Sequence, residues 1–146
     1  MFLQIIISLV IISSTIFIHG LGTSWWLNFL LRKHAIKDQV LRFTKIMKLL
    51  SYTSIILMLM HYIEIGLWAL AYLAIPELDK IKHWEDAIYF SMVTYTTLGY
   101  GDITLPPVWR IMSGFEAMNG ILLFGWSTAM FYAVVERMFT MAKQKT

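Results

Sequence analysis

Three long stretches of this chain carry almost no charge. Met1 to Leu31 contains no Asp, Glu, Lys or Arg. As a helix it measures roughly 46 Å, more than a bilayer core of about 30 Å requires. The run therefore either crosses at a tilt or breaks at Gly20-Leu21-Gly22. Trp25 and Trp26 precede Arg32 and Lys33, an order suited to the headgroup region. A signal peptide is the competing reading, but neither a positive leading segment nor a small-residue cleavage site is clear. The second run, Leu49 to Ile75, is interrupted only by His61 and Glu64. The third starts near Val108, reaches about Arg137, and contains Glu116, Asn119, Gly114, Gly120 and Gly125. Between the last two runs, His83 to Thr96 forms an amphipathic stretch too short to cross.

This pattern predicts an all-α membrane protein of three spans and one short inserted helix. The expected boundaries are 1–31 for the first span, 49–75 for the second, 84–96 for the short helix and 108–138 for the last span, with a tail at 139–146. Nine of the twelve basic residues lie between the first two spans or after the last. The positive-inside rule then puts residues 32–48 and the C-terminus in the cytoplasm, and the N-terminus and residues 76–107 outside. Such a chain is a multi-pass protein of the plasma membrane, or of the inner membrane in a bacterium. In 33–48, Ile36, Val40, Phe43 and Met47 share one helical face, with Lys37, Lys45 and Lys48 largely off it. Either this segment lies on the inner membrane surface, where it can meet anionic lipid, or the second span extends into the cytoplasm.

Composition agrees. The 146 residues are 58% hydrophobic and 14% charged, against about 25% charged in a soluble domain. The absence of cysteine excludes disulfides and thiolate chemistry. The net charge of +3 does not indicate nucleic acid, because the basic residues flank apolar runs.

The informative stretch is Thr96-Thr97-Leu98-Gly99-Tyr100-Gly101-Asp102. Irregular backbone at membrane depth is costly unless it is buried in protein or lines a water-filled path. Gly99 and Gly101 admit backbone angles closed to other residues. Successive carbonyls can then point the same way, and rings of them from several chains can replace the water around a cation. The Thr97 hydroxyl adds a further ring.

This stretch resembles the selectivity filter of potassium channels, TVGYG followed by Asp, and the likeness extends over residues 49–138 as outer helix, pore helix, filter and inner helix. T-x-G-Y-G arises by composition in on the order of one chain in a thousand of this length. The resemblance implies a homotetramer with a filter at 97–102, in which Thr97, Leu98, Gly99 and Tyr100 bind K+ as the permeant ion, with no cofactor. Leu98 replaces the commoner Val, a mild change because only its carbonyl faces the ion in the family. Gly101, Asp102, Thr96, Tyr89 and Phe90 would support the filter. Tyr89 and Phe90 stand where many such channels carry two tryptophans; Tyr89 can donate to Asp102, and Phe90 cannot donate. Simple packing is the competing role for both. Gly120 falls at the position of the family's gating hinge, although close helix contact suits a glycine equally. Ile121, Phe124 and Thr128 then line the cavity, unless that stripe faces lipid.

Glu85 and Asp86 suit the positive end of the short helix, whose other end directs partial negative charge toward the centre of an assembly. Glu116, at the depth of the back of that helix, is placed to accept hydrogen bonds behind the filter. His61 and Glu64 are helical neighbours, and His19 stands at the same depth as His61. Together they predict an intramembrane polar cluster, either a static lock or a pH-sensitive element.

The leading function is a passive potassium channel. A potassium uptake transporter subunit is the alternative, although those filters usually retain one glycine. A non-conducting regulator or scaffold is a third reading. No nucleophile–base constellation supports an enzyme, and no arginine ladder supports a voltage sensor.

Overall fold

The computed structural model describes residues 2–34 and 43–143. These form four helices: α1 Phe2–His34, α2 Phe43–Leu73, α3 Trp84–Tyr95 and α4 Arg110–Lys143. No hydrogen-bonded β-sheet forms among the described residues. Helices α1, α2 and α4 are long and apolar enough to cross a membrane, and α3 is not. Part of the basic segment 33–48, including Ile36, Lys37 and Val40, lies outside the described residues. Its last part, from Phe43 to Lys48, forms the first turns of α2.

Helix α1 does not break at its glycine pair. A Cβ on Gly22 would come within 2.7 Å of the Met60 side chain, so this glycine provides close contact with α2 instead of a bend. Polar contacts fasten α1 along its length. The indole N–H of Trp26 donates to Thr53 on α2 at 3.1 Å, and Asn119 on α4 donates to Thr15 at 2.9 Å. Helix α1 is thus built into the core, against both α2 and α4.

All four helices depart by a few residues from their expected bounds. Helix α2 begins at Phe43 and ends at Leu73 because nothing in 43–48 interrupts helical backbone, whereas Pro76 lies just beyond its end. Helix α4 begins at Arg110, since Pro106 and Pro107 precede it and the Trp109 N–H reaches back to the Pro106 carbonyl at 2.8 Å. Its C-terminal end runs on to Lys143 without a helix breaker. The short helix stops at Tyr95, with Thr96 as its cap.

The main core surrounds α3. Trp68, Ala69 and Tyr72 of α2, Ala87, Phe90 and Tyr95 of α3, and Met112 and Leu123 of α4 meet there. A second cluster near the other end joins Trp26 and Leu30 to Leu57, Met60, Met130 and Val134. Outward faces are apolar as well: Phe2, Val10, Phe17, Met58 and Tyr132 are all exposed. That distribution is expected where the surrounding medium is lipid.

Candidate functional site: a re-entrant helix and its glycine-bearing strand

Glu85 and Asp86 occupy the first turn of α3, where the unpaired N–H groups favour negative charge. At the other end the chain reverses through a Schellman closure. The Leu98 N–H donates to the Val93 carbonyl at 2.9 Å, and the Thr97 N–H to the Thr94 carbonyl at 2.9 Å. The Gly99 N–H shares the Val93 carbonyl at 3.1 Å, and the Thr96 hydroxyl donates to Met92 at 2.7 Å. The segment leaving α3 is therefore bound to the helix end by its own backbone.

Such a closure requires a left-handed residue just beyond the cap, normally glycine. Thr97 takes that role at φ 62, followed by Gly99 at φ 54 and Gly101 at φ 80. Every second residue is left-handed, while Leu98 and Tyr100 between them are not. An added Cβ at Gly99 or Gly101 would meet nothing within 4 Å. These glycines are consequently present for backbone angle, not for space. The strand 97–102 is exposed along its length.

Behind the strand, Tyr89 and Asp102 meet: the phenol donates to Oδ2 at 2.7 Å. That hydrogen bond holds the Asp102 carboxyl below the ordinary carboxylate range and pushes the Tyr89 phenol up. Because the folded value is depressed, the contact's stabilisation is complete above the ordinary pKa of a free aspartate and is lost as pH falls through the lower folded value. We expect Tyr89→Phe to return the Asp102 pKa toward the ordinary range, read by carboxyl-carbon NMR titration; an unchanged titration would show that the phenol is not what holds it. Phe90 points elsewhere. It is buried edge-on to Tyr72, with ring centroids 5.0 Å apart, and joins α3 to α2.

Glu116 is fully buried. It accepts from Tyr72 on α2 at 2.7 Å and from Ser91 on α3; Ser91 also approaches the Ile65 carbonyl at 2.9 Å. One carboxyl thus joins three helices at the back of α3. Truncation by Glu116→Ala leaves the buried Tyr72 hydroxyl without its acceptor, at about 1–3 kcal/mol, while Ser91 keeps the Ile65 carbonyl. Glu116→Gln keeps one carbonyl acceptor and should cost the smaller part of that loss. Thermal unfolding in detergent compares the two, and equal losses would contradict the acceptor role.

Gly120 lies against the end of α3. A Cβ there would overlap the Tyr95 carbonyl, and α4 runs through this point as helix. The arrangement assigns Gly120 to close contact between α3 and α4. Ile121 and Thr128 are exposed on the same helix, and the Thr128 hydroxyl donates to the Phe124 carbonyl at 2.9 Å. Phe124 is exposed as well, though less than Ile121. Its ring lies 4.5 Å from that of His61 and 5.5 Å from that of Tyr95, so it partly covers the chain's own core.

His19, His61 and Glu64 come together. His19 Nδ1 is 2.7 Å from Glu64 Oε1, and His61 Nδ1 is 3.0 Å from Oε2. Tyr95 and Ser127 complete this group from α3 and α4. Sequence reasoning missed Tyr72, Ser91, Tyr95, Ser127, Thr15 and Asn119 as partners. Their available signal was a hydroxyl or amide inside otherwise apolar runs, which does not reveal the partner.

Three long apolar helices with a short fourth returning through a glycine-bearing strand define a membrane protein of the pore-forming class. Residues 53–137 match the model of a protein family described as "Ion channel". That match covers more than half of the chain, which therefore belongs to the ion-channel family with a two-helix pore module. Comparison with curated proteins and with solved structures gives no match.

Proposed function

We propose that this ion channel is potassium-selective, and that four copies surround one axis with residues 97–101 of each lining the conducting path. One observation carries the reading: left-handed backbone at Thr97, Gly99 and Gly101, alternating with Leu98 and Tyr100. In an ordinary strand successive carbonyls point to opposite sides. Reversing handedness at every second residue turns them to one side. Four such rows supply stacked oxygen rings that substitute for hydration around a monovalent cation.

A single chain provides only one row, so closure requires symmetry. Support comes from the exposed strand and from the groove of about 430 Å³ beside it, lined by Tyr89, Val93, Thr97 and Gly114. A neighbouring copy would cover both. Ion movement is passive, through adjacent weak sites. The basic distribution favours the C-terminus and residues 32–48 in the cytoplasm, with the strand's Asp102 end outside. Gly120, Ile121, Phe124 and Thr128 then stand on the inner side of the strand, where movement of α4 would alter the path. Anionic lipid is the proposed partner of the basic segment.

The test is flux from purified protein in liposomes, comparing potassium with sodium gradients, together with the mass of the detergent-solubilised assembly. Potassium flux well above sodium flux from a four-chain assembly is expected. Equal flux of the two ions, or a stable monomer, would overturn the proposal.

A further inference from the structure

The group around Glu64 draws on all four helices. His19 comes from α1, His61 and Glu64 from α2, Tyr95 from α3 and Ser127 from α4. His19 and Glu64 have fully buried side chains, and His61 is 7% exposed. Each histidine directs the same ring atom, Nδ1, at one oxygen of the same carboxylate. The other nitrogens converge too. Ser127 Oγ is 3.0 Å from His61 Nε2 and 3.2 Å from His19 Nε2. Tyr95 donates to Glu64 Oε2 at 2.6 Å.

Five of these contacts are short enough to require one hydrogen each, and a sixth, longer approach sets His61 Nδ1 3.3 Å from the Tyr95 hydroxyl. With Glu64 ionised and both imidazoles neutral, only four hydrogens exist: one on each ring, one on Tyr95 and one on Ser127. One contact then sets lone pair against lone pair. The group also carries a net negative charge inside an apolar medium, where a carboxylate costs about 2.5–3.5 kcal/mol on insertion scales. Both defects are relieved by one additional cation in the group, whether a proton or a metal ion.

We infer that His19, His61 and Glu64 bind one divalent transition-metal ion of the zinc class, clasping α1 to α2 beside the end of α3. Two imidazole nitrogens and one carboxylate are a donor set suited to this metal class. The three ligating atoms all lie within 4.8 Å of one another. A tetrahedron with metal–nitrogen bonds of about 2.0 Å has edges of roughly 3.3 Å, so the nitrogen–oxygen contacts at 2.7 and 3.0 Å lengthen slightly and any wider pair in the group draws in to admit the ion.

The hydrogen count then closes. Both Nδ1 lone pairs bind the ion, and both rings carry hydrogen on Nε2. Ser127 Oγ accepts from both rings through its two lone pairs. Tyr95 continues to donate to the carboxylate, and the Ser127 hydrogen no longer has to serve either ring. Ser127 and Tyr95 are thus positioning residues that fix ring tautomer and carboxylate orientation. Helix α1, which is outside the matched module at 53–137, becomes tied to the pore through a metal.

Titration of the purified full chain with zinc chloride, with magnesium chloride as control, tests this without any measurement of flux. One zinc per chain is expected, with no effect of magnesium, and cobalt(II) in place of zinc should give the visible absorption of a tetrahedral site. His19→Ala, His61→Ala and the near-isosteric Glu64→Gln should each weaken zinc binding at least tenfold. Ser127→Ala should weaken it about 10–100-fold. Thr15→Ala, on the same α1–α4 seam but outside the group, should bind as the parent does. Absence of zinc binding by the parent chain would overturn the inference and leave a proton as the extra cation. Equal binding by a folded His19→Ala/His61→Ala double variant would overturn it too. Because metal content is read directly, this test can fail while potassium selectivity stands, and the reverse.

Discussion

Alanine at position 99 should abolish potassium-selective flux while leaving the four helices intact. Gly99 sits at φ 54, and a Cβ there would touch nothing within 4 Å. The penalty is therefore one of backbone conformation. A left-handed L-residue costs roughly 1–2 kcal/mol, and in a four-chain assembly that strain is repeated in every copy. Rotating residue 99 to negative φ relieves the strain. That rotation turns a carbonyl away from its row and breaks one oxygen ring. Circular dichroism should be unchanged, while the potassium-to-sodium flux ratio in liposomes falls toward unity. A variant that keeps the parent's ratio would show that the backbone alternation does not carry selectivity.

Gly120→Ala should act in the opposite way, through assembly of the chain and not through the strand. Its Cβ would overlap the Tyr95 carbonyl, a backbone atom fixed at the end of a capped helix. Overpacking of this kind typically costs about 1–3 kcal/mol, and only part is offset by the helix preference of alanine over glycine, up to about 1 kcal/mol. Relief requires α4 to move off α3, which also disturbs the Phe124 ring over His61. We expect a lower unfolding temperature in detergent and a loss of the four-chain species. Gly66→Ala is the control: nothing lies within 4 Å of its added Cβ, so the change should be neutral or slightly stabilising. Equal behaviour of the two variants would contradict the close approach of α3 and α4.

The difference between these glycines was only partly legible in the sequence. Gly99 and Gly101 announce themselves by their place in a short motif at membrane depth. Gly120 does not, because bending and close contact call for the same missing side chain. The third dimension separates them by placing the Tyr95 carbonyl where a Cβ would go. Gly20 and Gly22 posed the same ambiguity in α1, and Met60 resolves it at Gly22. Phe90 shows the limit from another side. Its position suggests a cuff around the strand, but a ring without a hydrogen-bond donor follows apolar contact, here against Tyr72.

The chain's linear order alone determined three things: three spans, a short helix too brief to cross, and a glycine-bearing motif after it. Each depends on local properties, namely length without charge and residues that tolerate unusual φ. The tertiary structure alone decided which polar groups share protons. Glu116 joins Tyr72 and Ser91, Glu64 takes Tyr95 besides the two histidines expected from depth and spacing, and Ser127 meets both rings, across separations that no helical periodicity encodes. An apolar medium makes an unpartnered buried polar group costly, so the sequence demands partners, but only the relative rotation and depth of four helices determine which ones meet.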